Sequence, residues 1–130
     1  MHSNAVLEAI MLSVHSDRVG DVAVLQCEGR IVRSDAAFTL RDAVTGQENA
    51  RVVVLDLTDV NTVEGGGLGM LIYLQRWARD HDIRLKLFNP PRSVRERLED
   101  ASSISEFDMT KADEMVALLS SAEEREMLAA

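Results

Sequence analysis

The chain has 130 residues, 46% of them apolar, enough for the buried core of one domain with little room for a second. Its formal net charge is −8, from 22 acidic and 14 basic side chains, which counts against nucleic acid as a main partner. Cys27 is the only cysteine, so neither an intrachain disulfide nor a thiolate metal cluster can form. His2, His15 and His81 are scattered without ligand spacing. No apolar run approaches the roughly 18–20 residues of a membrane span, and the start lacks the basic residues of a signal peptide. A reducing, cytoplasmic location is the expectation.

In chain order, Leu12 and Val14 alternate with polar neighbours, DRVGD (17–21) supplies a turn, and VAVLQCEG (22–29) follows. That pattern predicts an antiparallel hairpin, with Gly29 marking a bulge or corner before Ile31. Ser34 is placed to cap a helix over DAAFTLRDAVT, with Ala37, Leu40 and Val44 on its inner stripe and Gly46 as its stop. VVVLDL (52–57) has no alternation and reads as a central strand buried on both faces. After the glycines of VEGGGLGM (63–70), the residues Met70, Leu71, Leu74, Trp77 and Ala78 recur at helical spacing.

IRLKLF (83–88) alternates, with Ile83, Leu85 and Leu87 on one face. NPP (89–91) ends that strand and opens a helix capped by Asn89 or Ser93, the latter in a capping box with Glu96. Val94, Leu98 and Ala101 form its buried stripe. SEFDM (105–109) predicts a short last strand, and TKAD (110–113) caps a closing helix lined by Ala112, Met115, Val116 and Leu119. EEREMLAA at the end is expected to fray. The expected fold is a single α/β domain over residues 11–120, with a mixed four- to five-stranded sheet and helices packed on it; 1–10 and 121–130 are terminal extensions.

The glycine turn is the candidate functional feature. Strand, glycines, then helix is a recurrent phosphate-binding arrangement, because a helix N-terminus offers unpaired N–H groups. A P-loop, however, needs Lys after its glycine, where Leu68 stands; a dinucleotide fingerprint needs glycine where Met70 stands. A tight strand-to-helix corner is the plainer reading. Glu64, a carboxylate beside the helix N-terminus, is a favourable partner for the helix dipole.

The stretch VVVLDLTDVNTVEGGGLGMLIYLQRWARDHDIRLKLFNPPRSVRERLE (52–99), with EGRIVRSDAAFTLRDAV (28–44) before it, resembles the STAS domains of anti-sigma factor antagonists. The resemblance covers roughly residues 11–120. It implies a non-catalytic module whose "D-S-S-G-L-G" turn presents a serine. A partner anti-sigma kinase phosphorylates that serine and so breaks the complex. Residue by residue, Glu64 replaces the aspartate, Gly65 and Gly66 replace the serines, and Gly67, Leu68 and Gly69 match directly. The resemblance thus puts the acceptor at Gly65, which has no hydroxyl, so the usual switch cannot operate there. Thr58 and Thr62 are the alternative hydroxyls, with strand-end hydrogen bonding as their plainer role.

The implied partner is an anti-sigma factor or serine kinase, bound through Glu64, Gly65, Gly66, Gly67, Leu68 and Ile72. Leu68 and Ile72 lie off the core stripe, either exposed for docking or buried between layers. Two alternatives remain: a regulatory subunit of a lipid-transport ABC complex, or a small-anion sensor using the N–H groups of Gly66 and Gly67. No cofactor or metal is implied. Asp56, Asp59 and Glu64 are not shown by sequence to converge. Arg92, Arg95 and Arg97 read as a solvated helix face, and Cys27 reads as core.

Overall fold

The computed structural model describes residues 12–32, 35–101 and 107–129. Strands β1 (Ser13–Val19) and β2 (Val22–Ile31) form the expected hairpin about the two-residue turn Gly20-Asp21. Helix α1 (Asp35–Thr45) leads to β3 (Val52–Val63), and α2 (Gly65–Asp80) to β4 (Arg84–Phe88). Helix α3 (Arg92–Asp100), β5 (Asp108–Thr110) and α4 (Ala112–Ala129) complete the order. The sheet runs β1-β2-β3-β4-β5, antiparallel at the first pair and parallel thereafter. Ser34, expected as the α1 cap, lies outside the described residues, as does the start of SEFDM.

The run read as 52–57 continues as strand to Val63. Between Gln26/Glu28 and Asp56/Asp59, and again between Gly29/Arg30 and Val60/Thr62, β3 has one residue more than β2. These two bulges turn the strand, so its buried residues fall three apart, at Leu57, Val60 and Val63. That spacing is why alternation failed to mark the second half of the strand.

Alternate strand residues build two cores. Leu25, Cys27, Val53, Leu55, Leu85 and Leu87 pack with Leu40 of α1, Leu71 and Leu74 of α2, and Leu98 of α3. Each fully buried leucine here contributes about 1.5–3 kcal/mol of transfer free energy. On the opposite face, Val22, Val24, Val52 and Val54 meet Met115 and Ala122 of α4, with Leu118 and Leu119 alongside. The α4 stripe therefore differs from the expectation: Ala112 and Val116 are exposed, because the helix presents its 115/118/119/122 side to the sheet.

Three caps also differ. Helix α3 begins after Pro91 with no side-chain cap bond, so Ser93 and Glu96 form no capping box. Asn89 instead adopts a left-handed φ of 53° and donates to Thr58 Oγ1 at 3.1 Å. Thr110 belongs to β5, and its buried hydroxyl has no hydrogen-bond partner among the described residues.

The tail expected to fray is helical to Ala129, tied down by charge. Arg125 grips Asp21 in the hairpin turn through two bonds, Nη2 to Oδ1 at 2.9 Å and Nε to Oδ2 at 3.2 Å, with Arg51 at 3.7 Å from the same carboxylate. The Arg125 hydrogen bonds, outweighing partial desolvation and aided by its charge, hold the Asp21 carboxyl below its ordinary range. A carboxylate lowered by folding stabilises the fold above its unfolded pKa of about 3.9, and that contribution is lost as pH falls through the lower folded value. Amide hydrogen exchange across 115–129 is therefore expected to accelerate as pH drops below about 4 relative to the sheet. Asp21→Asn should show that looseness already at neutral pH; unchanged exchange would remove this pair from the anchoring of α4.

Candidate functional site

The site is built where β3 becomes α2. Strands β2 and β3 stay paired up to Ile31 and Val63, and the next amide, Glu64 N–H, donates to the Ile31 carbonyl at 3.1 Å. Glu64 is extended (φ −149°, ψ 158°), and α2 begins immediately after it. Gly65 has a φ of 51°, in the left-handed region that penalises side chains, whereas Gly66 has no such φ. Gly67 is buried: a Cβ there would sit 2.1 Å from the Ile31 carbonyl oxygen and 2.4 Å from that of Val32. The three glycines thus differ in role. Gly65 permits the turn, Gly66 is displayed, and Gly67 lets helix backbone rest on strand backbone.

The helix N-terminus is partly satisfied from within. Gly67 N–H donates to the Glu64 carbonyl at 3.0 Å, so it is not the free anion ligand that the sensing alternative requires. The Glu64 side chain makes no cap bond. Its carboxylate meets Arg97 on the exposed face of α3, Nη2 to Oε1 at 3.3 Å. Both side chains are more than half exposed, so the link adds little stability and leaves a paired-charge surface beside the turn.

Of the two apolar candidates, Leu68 is half-buried and packs on the core below α1, α2 and α3. Ile72 is half-buried as well, and the exposed ring near the turn is Tyr73, at 52% exposure. The exposure of Tyr73 follows from α2 burying Gly67, Leu71, Leu74 and Ala78 on the other side. The displayed surface is thus Glu64, Gly65, Gly66, Gly69 and Tyr73, with Arg97 contributed by α3.

The alternative hydroxyls serve the strand ends. Thr58 Oγ1 donates to Asp56 Oδ1 and accepts from Asn89, while the same Asp56 oxygen takes the Thr58 amide at 3.0 Å. This knot ties β3 to the end of β4. Thr62 Oγ1 donates to Asn61 Oδ1 at 3.0 Å. Asp56 and Asp59 share a hollow with Glu28 and His15, but Glu64 is not part of it. No group of three or more potential metal ligands converges among the described residues. Burial, then the charge of Asp56, pushes the Cys27 thiol up to about 12, so it is no thiolate nucleophile.

With this geometry in view, the comparisons are direct. The sequence matches the STAS domain family over residues 13–123, and the chain belongs to that family. Its structure is similar to that of the anti-sigma factor antagonist SpoIIAA in its unphosphorylated form, with 16% identity, 82% of this chain and 94% of that chain covered, and a TM-score of 0.62. It is similar to an anti-sigma factor antagonist from Mycobacterium paratuberculosis, with 17% identity, coverage of 82% and 92%, and a TM-score of 0.68. A third likeness is to the murine anion transporter Solute Carrier 26 family member A9, at 10% identity and a TM-score of 0.71, over 92% of this chain and 24% of that one. At these identities the shared property is the fold. A comparison with curated proteins returns no match. Among the described residues no helix is long and apolar enough to cross a membrane.

The glycines give a paired prediction. Gly67→Ala is expected to cost about 3 kcal/mol or more, because the methyl group meets rigid carbonyls. Gly69→Ala, with nothing within 4 Å of its added carbon, should be neutral or stabilising by up to about 1 kcal/mol. Urea unfolding of the two variants measures both; equal effects would contradict the close approach at residue 67.

Proposed function

We propose that this chain is a non-catalytic binding module that docks on a protein partner through its glycine turn and the first turns of α2, without control by phosphorylation there. The carrying observation is the displayed surface at Glu64–Gly66 and Tyr73, held on a corner that the Gly67 contact makes rigid. Preorganisation of that kind reduces the ordering cost of association. Neither position that replaces the family's serines has a hydroxyl, and the hydroxyls of Thr58 and Thr62 are engaged at strand ends. The partner class we infer is an anti-sigma factor or a related serine kinase, which the chain would bind constitutively in the cytoplasm of a bacterium, under control of abundance.

Glu64 and Arg97 form a matched pair at the rim of this surface, suited to exchanging partners with opposite charges on an incoming protein. The apolar contribution comes from Tyr73, an amphipathic ring of the kind enriched at interface centres.

Gly66 is the position at which to test this, since a side chain there adds charge without entering the left-handed region. A tagged wild-type chain should retain a serine kinase or anti-sigma factor from native lysate, with residues 52–76 unphosphorylated by mass spectrometry. Gly66→Asp is expected to lose that partner by at least about tenfold in affinity, or roughly 1.4 kcal/mol. Recovery of a transport ATPase in its place would favour the transport-regulator reading. A phosphate on Thr58 or Thr62 would overturn the absence of a phosphoswitch.

A further inference from the structure

Helix α4 covers the β1–β3 side of its sheet face and leaves a cleft of about 530 Å³ beside β4 and β5. Small-molecule sites commonly have this size, about 300–1,000 Å³. The cleft lies on the opposite face of the sheet from α1, α2 and α3, and so is separate from the glycine turn. In a chain of net charge −8, four cations line it: Arg51, Arg84, Lys86 and Arg125. From these residues we infer a binding site for a small phosphate monoester that also carries an amino group.

The cations are not equally committed. Arg125 and, more distantly, Arg51 neutralise Asp21. Lys86 is buried and donates to Asp108 at 2.8 Å, which leaves two of its three ammonium protons. Arg84, the neighbour of Lys86 but one along β4 and on the same face, has no ion-pair partner among the described residues. A guanidinium fork beside an ammonium with spare donors matches a phosphate dianion better than a monocarboxylate, which a single fork satisfies.

The remaining carboxylates of the lining, Asp82 and Glu114, are exposed and make no ion pair among the described residues. They disfavour free inorganic phosphate and favour a ligand whose far end is cationic. Val52, Ala117 and Leu118 offer the short carbon body an apolar wall.

The test is a chemical-shift titration of the full chain at constant ionic strength with O-phosphoethanolamine, inorganic phosphate and ethanolamine. Saturable shifts at the amides of 84–86 and 117–121 are expected with O-phosphoethanolamine, weaker ones with phosphate, and none with ethanolamine. Arg84→Gln, at an exposed and unpaired position that should leave the fold intact, is expected to weaken O-phosphoethanolamine by about tenfold or more. Glu114→Gln should weaken that ligand a few-fold yet tighten inorganic phosphate, a reversal of sign that general destabilisation cannot produce. Non-saturating shifts, shifts confined to 65–68, or an unchanged affinity in Arg84→Gln would overturn the site.

Discussion

The structure depends on one close approach, the backbone of Gly67 against the carbonyls that end β2. Parallel strands β2 and β3 must finish together for Glu64 N–H to reach Ile31, and only then does the first turn of α2 land on the Ile31–Val32 peptide. The contact has no room for a side chain and therefore little tolerance for a register slip. A shift of β3 by one residue would turn its apolar set over, and in the direction that brings Leu68 to the place of Gly67 it would drive a side chain into that gap. The corner thus couples strand register to helix position, and helix position to whatever α2 presents.

The two sides of the sheet are closed by different means. Three helices seal the α1–α3 side with a continuous aliphatic core, as expected for strands joined by right-handed crossovers. Among the described residues the other side has one helix for five strands, and α4 does not cover it all. Charge takes over where packing ends: Asp21–Arg125 pins the distal half of α4, and Lys86–Asp108 secures the three-residue edge strand β5. The uncovered remainder is lined mostly by charged and polar side chains, with Val52, Ala117 and Leu118 among them. The charged cleft lies where the described part of this face is left uncovered by α4.

Much of the fold was legible because it is written in short-range patterns. The hairpin, the inner stripe of α1, the double-sided burial of Val52–Leu55 and the one-sided alternation of Ile83, Leu85 and Leu87 all followed from spacing. What sequence could not show depended on long-range geometry. The bulges in β3 changed the burial period from two to three, so the strand seemed to end at Leu57 when it ran to Val63. Caps failed at Ser93 and Thr110 because neighbouring strands set where those helices begin. Arg125 looked like part of a loose tail, and its partner lies 104 residues earlier. The equivalence of three glycines in EGGGLG was likewise an illusion of the string, as Gly65 takes a left-handed φ and Gly67 packs on strand carbonyls.

That inequality bears on how a turn can lose its hydroxyls and keep its form. A side chain at 67 is forbidden by contact and one at 65 is penalised by its left-handed φ, whereas Gly66 is exposed and free of that φ. Its absence of a side chain leaves backbone accessible beside Glu64 and Tyr73, and a partner able to approach that closely can use main-chain groups of the turn directly. Adding charge at 66 would obstruct such an approach sterically and electrostatically at once. The geometry thus suits a surface whose open state is built in, with the exposed Glu64–Arg97 pair beside it.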